Sequence, residues 1–248
     1  MADLRSLSYA LAATAGTAFP TEFLVYNTSI CSPNNGGQCC LFTVPAGKTW
    51  VTFEIWGGGG SGGGSCCCQQ GYAGGSGTYT MKTVCSSSLA GCQYTICAAS
   101  SSGCSSSTAG CFGSTTWVSG YGLSNFCACG GGQGCTDCFR FASCYHCYTG
   151  TTCCNCATGG DFYSNGFYGP AHTTQFCYNM GHQFAPVPPM TVSGPLVGPG
   201  GCAGIGYQGF QNPIGYFPGG GGFSAQTYGG PCCWSQPGAG GLVSVTYG

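Results

Sequence analysis

The clearest alternation in the chain runs from Thr49 to Trp56, where Val51, Phe53 and Ile55 fall on one face and Trp50, Thr52, Glu54 and Trp56 on the other. A period of two is that of a strand with one face turned to a core. Shorter stretches at Glu22–Ile30, Cys39–Val44, Thr78–Cys85, Gln93–Ala99, Ser114–Ser119 and Leu242–Tyr247 predict further strands, separated by turn residues and cysteines. Between the first two lies Ser32-Pro33-Asn34-Asn35-Gly36-Gly37, whose Asn-Gly centre suits a hairpin turn. The two strands are therefore expected to pair and to set Cys31 against Cys39 or Cys40. Helical texture is confined to residues 1–20, where Leu4, Leu7, Leu11 and Ala15 follow a period of about 3.6 and Phe19-Pro20 ends the run. The expected class is all-β with extensive irregular glycine-rich backbone. Residues 1–21 form a short helix or arm, packed on the body or used for docking, and residues 22–248 form one glycine- and cysteine-rich domain.

Glycine changes this picture more than any other residue type. Forty-nine of the 248 residues are glycine and 13 are proline, yet 43% are hydrophobic, so the chain is not a solvated coil. Ordering it is costly, because glycine loses the most backbone freedom on folding. The run Gly57-Gly58-Gly59-Gly60-Ser61-Gly62-Gly63-Gly64 follows directly on the best strand. It lacks the Lys-Ser/Thr ending of a phosphate-binding loop, and no helix follows it. Over 198–222, Gly198, Gly201 and Gly204 fall three apart, as do Gly206 and Gly209. That is the period of an extended polyproline-type helix, so this stretch is either polyglycine II helix or a loop pinned by Cys202, Cys232 and Cys233.

Cysteine supplies the candidate chemistry, with 24 residues, the level of a disulfide scaffold. The disulfide candidates are Cys31, Cys39, Cys40, Cys66, Cys67, Cys68, Cys153, Cys154, Cys156, Cys202, Cys232 and Cys233. Adjacent cysteines in extended chain point to opposite faces and so reach different layers rather than each other. The densest stretch is an insertion at about 127–156, with C-x2-C units at Cys135/Cys138 and Cys144/Cys147. Those four, with His146 nearby, are the one set with a resemblance to zinc spacing, although their knuckles are closer than in zinc ribbons. Structural bridges are favoured over metal, and no cofactor is expected.

Charge removes whole classes of function. Four basic and five acidic residues, net −1, cannot neutralise a row of phosphates or hold an anionic membrane surface. No run of 18 apolar residues spans a membrane. Leu7 to Gly16 makes a poor secretory signal, because Asp3 cancels Arg5 and Ser8 and Tyr9 interrupt the apolar stretch. His146, His172 and His182 have no catalytic company at recognisable spacing, so no enzyme is expected. Asp137, Arg140 and Asp161 are expected to pair locally and pin the cysteine-dense insertion. Phe162-Tyr163-Ser164-Asn165-Gly166-Phe167-Tyr168 reads as a loop tip offering an uncharged contact surface.

Three segments together carry a resemblance: LFTVPAGKTWVTFEIWGGGGSGGG (Leu41 to Gly64), GYAGGSGTYTMKTV (Gly71 to Val84) and the closing GAGGLVSVTYG (Gly238 to Gly248). This ordered series resembles the glycine-rich domain of tailed-bacteriophage tail fibres and virion appendages, with a cysteine load that looks more like marine or cyanobacterial phage proteins. The resemblance implies a non-enzymatic structural protein of the virion surface, made in host cytoplasm and released by lysis. Its implied partners are other virion proteins, identical subunits and a host surface receptor. It implies a tail fibre, adhesin or capsid decoration, with disulfides forming late. The residues leave two other readings open: a secreted disulfide-rich filament or matrix protein, and a thiolate metal-binding module.

Overall fold

The computed structural model describes residues 21–26, 38–63, 70–71, 74–102, 110–134, 136–137, 157–164, 218–222 and 237–248. The expected helix or arm at 1–20 lies outside them. Twelve strands are present: β1 (Thr21–Tyr26), β2 (Gln38–Thr43), β3 (Trp50–Trp56), β4 (Gln70–Gly71), β5 (Tyr79–Cys85), β6 (Gln93–Ala98), β7 (Thr116–Gly120), β8 (Phe126–Ala128), β9 (Thr136–Asp137), β10 (Ala157–Thr158), β11 (Phe162–Ser164) and β12 (Leu242–Tyr247). Two five-stranded antiparallel sheets, ordered β1-β12-β3-β5-β11 and β10-β8-β7-β6-β2, form a sandwich, and β4 pairs with β9. There is no helix among the described residues.

The sandwich core follows from the alternation. Val51, Phe53 and Ile55 of β3 are fully buried, beside Val84, Val243 and Val245 of the same sheet. Facing them from the second sheet are Phe42, Tyr94, Ile96, Val118 and Phe126. The Phe53 ring lies 4.7 Å from that of Tyr94 and 6.4 Å edge-on to Phe42, spacings typical of interlocked aromatics. On the outer face of the first sheet, Trp56, Tyr79 and Leu242 form a second buried cluster.

The expected pairing of the first two strands is not made between β1 and β2, and residues 27–37, with the Asn-Gly turn, lie outside the described residues. β1 pairs along its length with β12 and β2 pairs with β6, so the two strands belong to different sheets. The reason is burial: β2 carries Phe42 to the rings of Phe53, Tyr94 and Tyr247, and that gain outweighs a local turn preference. Cys39 is consequently bonded to Cys97, its direct neighbour on β6, and not to Cys31, which lies outside the described residues. Cys40 keeps its thiol and packs half-buried on the core side of β2.

At one end of the sandwich the side chains shrink to Ala98, Ala99 and Ala128, and the strands run on as extended glycine-rich segments. We number these g1 (57–63, after β3), g2 (74–78, before β5), g3 (99–102, after β6), g4 (110–114, before β7), g5 (129–134, after β8), g6 (218–222) and g7 (237–241, before β12). Segment g1 is central, and its hydrogen bonds rotate among neighbours with a period of three. Gly57 and Gly60 donate to Thr78 and Gly75 of g2, Gly58 and Ser61 to Ser114 and Cys111 of g4, and Gly59 to Ala239 of g7. In return, Gly58 and Ser61 accept from Gly131 and Gly134 of g5, and Gly60 accepts from Gly222 of g6. The rim closes through backbone bonds of g2 with g5 and g6, of g4 with g5, and of g6 with g7. Segment g3 completes it, with the Ala99 carbonyl accepting from Gly241 and the Ser100 hydroxyl meeting that of Ser114. Six segments thus surround one.

The arrangement explains why g1 has almost no side chains. A Cβ on Gly57, Gly59 or Gly60 would lie 2.0 Å from a carbonyl oxygen of Cys129, Gly220 or Gly132. Each is a backbone atom of a neighbour held by its own hydrogen bonds, so it has nowhere to move. Gly59→Ala is therefore expected to abolish cooperative folding, seen as loss of protease resistance and of the far-ultraviolet β signal. Gly91→Ala is the control: its positive φ of 80° costs about 1–2 kcal/mol, but no atom lies within 4 Å of the new Cβ, so this variant should fold.

Candidate functional site

The glycine array is built so that departures from glycine still satisfy backbone groups. Ser61 replaces a glycine inside g1, and its hydroxyl accepts the Cys111 N–H at 2.6 Å. The Ser102 hydroxyl of g3 accepts the Gly238 N–H at 2.8 Å. At the junction with the sandwich, Thr116 donates to the Trp56 carbonyl of the opposite sheet and accepts the Ala99 N–H, tying both layers to the start of the array. Among the described residues no buried side-chain polar atom lacks a partner. Larger side chains occupy positions turned away from the centre, as with Phe112, half-exposed between Gly110 and Gly113.

The outer face of the second sheet carries an uncharged row in register across all five strands: Cys39, Cys97, Trp117, Cys127 and Thr158. Leu41, one step along β2, is exposed beside it. The Cys127 thiol meets the Thr158 hydroxyl at 3.1 Å, and that hydroxyl donates to the Asn125 carbonyl.

The first sheet presents different chemistry. Phe162 and Tyr163, read from the sequence as part of a loop tip, lie instead in edge strand β11 paired to β5, with both side chains exposed. Residues 165–168 of that expected tip lie outside the described residues. Asp161 pairs with Lys82, because the β11–β5 register sets it beside Lys82 and Thr83; Arg140, expected to pair in this group, lies outside the described residues. The Lys82 ammonium and the Thr83 N–H hold its carboxyl below the usual carboxylate range. Beneath Phe162, the Tyr79 hydroxyl donates to Glu54 at 2.8 Å inside the outer cluster. Burial first, then the Glu54 carboxylate, pushes the phenol far above its ordinary value, so Tyr79 remains a proton donor at every physiological pH.

Of the cysteines singled out from the sequence, Cys39 and Cys40 are described and the other ten disulfide candidates are not. The C-x2-C set Cys135, Cys138, Cys144 and Cys147 and the three histidines also lie outside the described residues. Among the described residues no three metal-ligating side chains come together. Sequence reading missed Cys97 as a partner, because cross-strand register is a non-local property. No protein-family model matches the chain, and no curated protein matches it. No helix among the described residues is long and apolar enough to cross a membrane.

Two stability effects follow. Tyr79→Phe leaves a buried carboxylate oxygen without its hydroxyl donor and should lower unfolding free energy by about 1–3 kcal/mol in urea melts. The depressed Asp161 contributes stability that is present above the unfolded carboxyl value, about 3.9, and is lost as pH falls through the folded value. The difference between wild type and Lys82→Met should therefore be measurable near neutrality, shrink on acidification below about pH 4, and be reduced by salt, since both partners are substantially exposed.

Proposed function

We propose that the protein is a structural component of a phage virion surface, a tail-fibre-type appendage or capsid decoration, without enzymatic activity. It assembles with other virion proteins and with copies of itself and contributes to host attachment. The observation that carries this reading is the enclosure of g1 by six segments, five of them joined to it by backbone hydrogen bonds that rotate every three residues and the sixth, g3, closing the rim. We take the array as a bundle of polyglycine II helices. At a rise of about 3.1 Å per residue, g1 alone extends about 20 Å. Such a rod is stiff because nearly every rotation would break backbone bonds. It is also indifferent to salt, because its cohesion uses no ion pair.

The motif order supports the same reading. The strand ending in Trp56 feeds g1, the Gly74–Gly77 stretch feeds β5, and the closing Gly-Leu-Val strand pairs back onto β3. The segments that carry the resemblance to virion appendages thus supply β12, β3 and β5, the three middle strands of the first sheet, together with g1 and two of the segments around it, g2 and g7. The near absence of charge suits a part exposed to variable ionic strength outside a cell.

Particles purified by density gradient from lysed producer cells test the reading. The protein is expected to co-sediment with particles and to remain after a high-salt wash. A few copies per particle assign it to a fibre, and hundreds assign it to capsid decoration and exclude the fibre. Recovery only in extracellular sheath material, with none on particles, overturns the proposal in favour of a secreted filament.

A further inference from the structure

We infer that the Cys39–Cys97 bridge closes after folding, by exchange with a low-molecular-weight disulfide, and acts as a covalent lock on the terminal strand of the second sheet. This rests on the fold alone and does not depend on the virion reading.

The register makes the case. Cys39 and Cys97 face each other within a ladder of six residue pairs running from Gln38↔Ala98 to Thr43↔Gln93. That register is held by Phe42, Tyr94 and Ile96 on the opposite face, all buried in the core. A slip of β2 by one residue against β6, which is itself held by β7, would turn Phe42 to solvent and Cys39 to the core, so core burial sets the pairing and thereby brings the two sulfurs together. The bridge is a consequence of the ladder.

The other thiols near it are kept from competing. Cys40 adjoins Cys39 in sequence but lies on the core face of β2, on the opposite side of the sheet from the Cys97 sulfur. Cys127 shares the outer face with the bridge, but Trp117 stands between it and Cys97 in the row. Two strand spacings, about 9.5 Å, separate their backbones, beyond the span of about 4.4–6.8 Å that a disulfide bridges. Within the described part of a chain with 24 cysteines, folding leaves Cys97 one partner.

The placement also gives the bridge a task. Among the described residues β2 ends its sheet and is joined to it by β6 alone. Cys39 is exposed, so a small disulfide reaches it. The Cys39 thiolate attacks a disulfide R–S–S–R, forming Cys39–S–S–R and releasing RS⁻. The Cys97 thiolate then attacks the Cys39 sulfur and expels the second RS⁻. Two protein thiols are oxidised, one external disulfide is reduced to two thiols, and the two protons leave to solvent or to the released thiolates.

The full chain tests this with oxidised glutathione as probe, alkylation quenching and peptide mapping. The Cys39–Cys97 linked peptide is expected to form in folded protein at a glutathione disulfide concentration at least tenfold below that needed in urea. Equal closure in both states overturns the proposal, as does Cys97 linked to Cys40 or Cys127. Closure should slow amide exchange in 38–43 at least tenfold while leaving 57–63 unchanged, and unchanged exchange at 38–43 refutes the lock. The variants Cys39→Ser/Cys97→Ser and Cys39→Val/Cys97→Val, purified under oxidising conditions so that other bridges form, separate lock from folding requirement. Folding of either supports closure after folding, and failure of both refutes it.

Discussion

A backbone without Cβ atoms is allowed to approach other backbones on every side, and the molecule depends on that allowance along one short run, Gly57 to Gly63. In an ordinary sandwich two sheets stand about 10 Å apart because side chains fill the gap. Here the layers converge beyond Ala98, Ala99 and Ala128 until Gly58, continuing a strand of one sheet, bonds to Ser114 and Gly131, which continue strands of the other. Side-chain packing gives way to backbone hydrogen bonding within a few residues of each strand.

The two halves need each other for an energetic reason. A net hydrogen bond is worth only about 0.5–1.5 kcal/mol, while fixing a residue costs about 1–2 kcal/mol, and glycine sits at the upper end. A free set of glycine segments would not order itself on those terms. The sandwich supplies what is missing: β3, β5, β6, β7, β8 and β12 deliver six of the seven segments already aligned and in register. Ordering one segment then completes bonds for several neighbours at once. Cysteine, which looks from composition like the main source of order, has a smaller part in this region. The described core and array are hydrogen-bonded throughout, and the bridge at Cys39–Cys97 reinforces a strand whose position the core already sets.

Much of the β framework was legible from the sequence. The faces of β3 are those its alternation predicts, and β5, β6, β7 and β12 lie within a residue or two of their expected places. The short strands β8, β10 and β11 were not, since two or three residues carry no period. The partners of β1 and β2 were not legible, because an Asn-Gly turn signal is local whereas each of these strands pairs with residues 50 or more positions away. The glycine spacing of three is plainest at 198–222, of which only 218–222 is described, whereas most of the described array lies elsewhere in the chain. Segments g3 and g4 hid their role: Ser100 to Ser102 carry no glycine, and the spacing of Gly110 and Gly113 is a period too short to recognise alone.

Taken by itself, the sequence determined which strand faces are apolar, how few charges the chain carries, and where a backbone stripped of side chains begins. Those are properties of single residues and of neighbours two or three apart. Only the tertiary structure decided that g1 is central, which segments enclose it, that β1 and β2 part company, and which cysteine Cys39 meets. Each of these is a choice among distant partners. It is settled by closing one core and one hydrogen-bond array together, and local periodicity does not encode that closure.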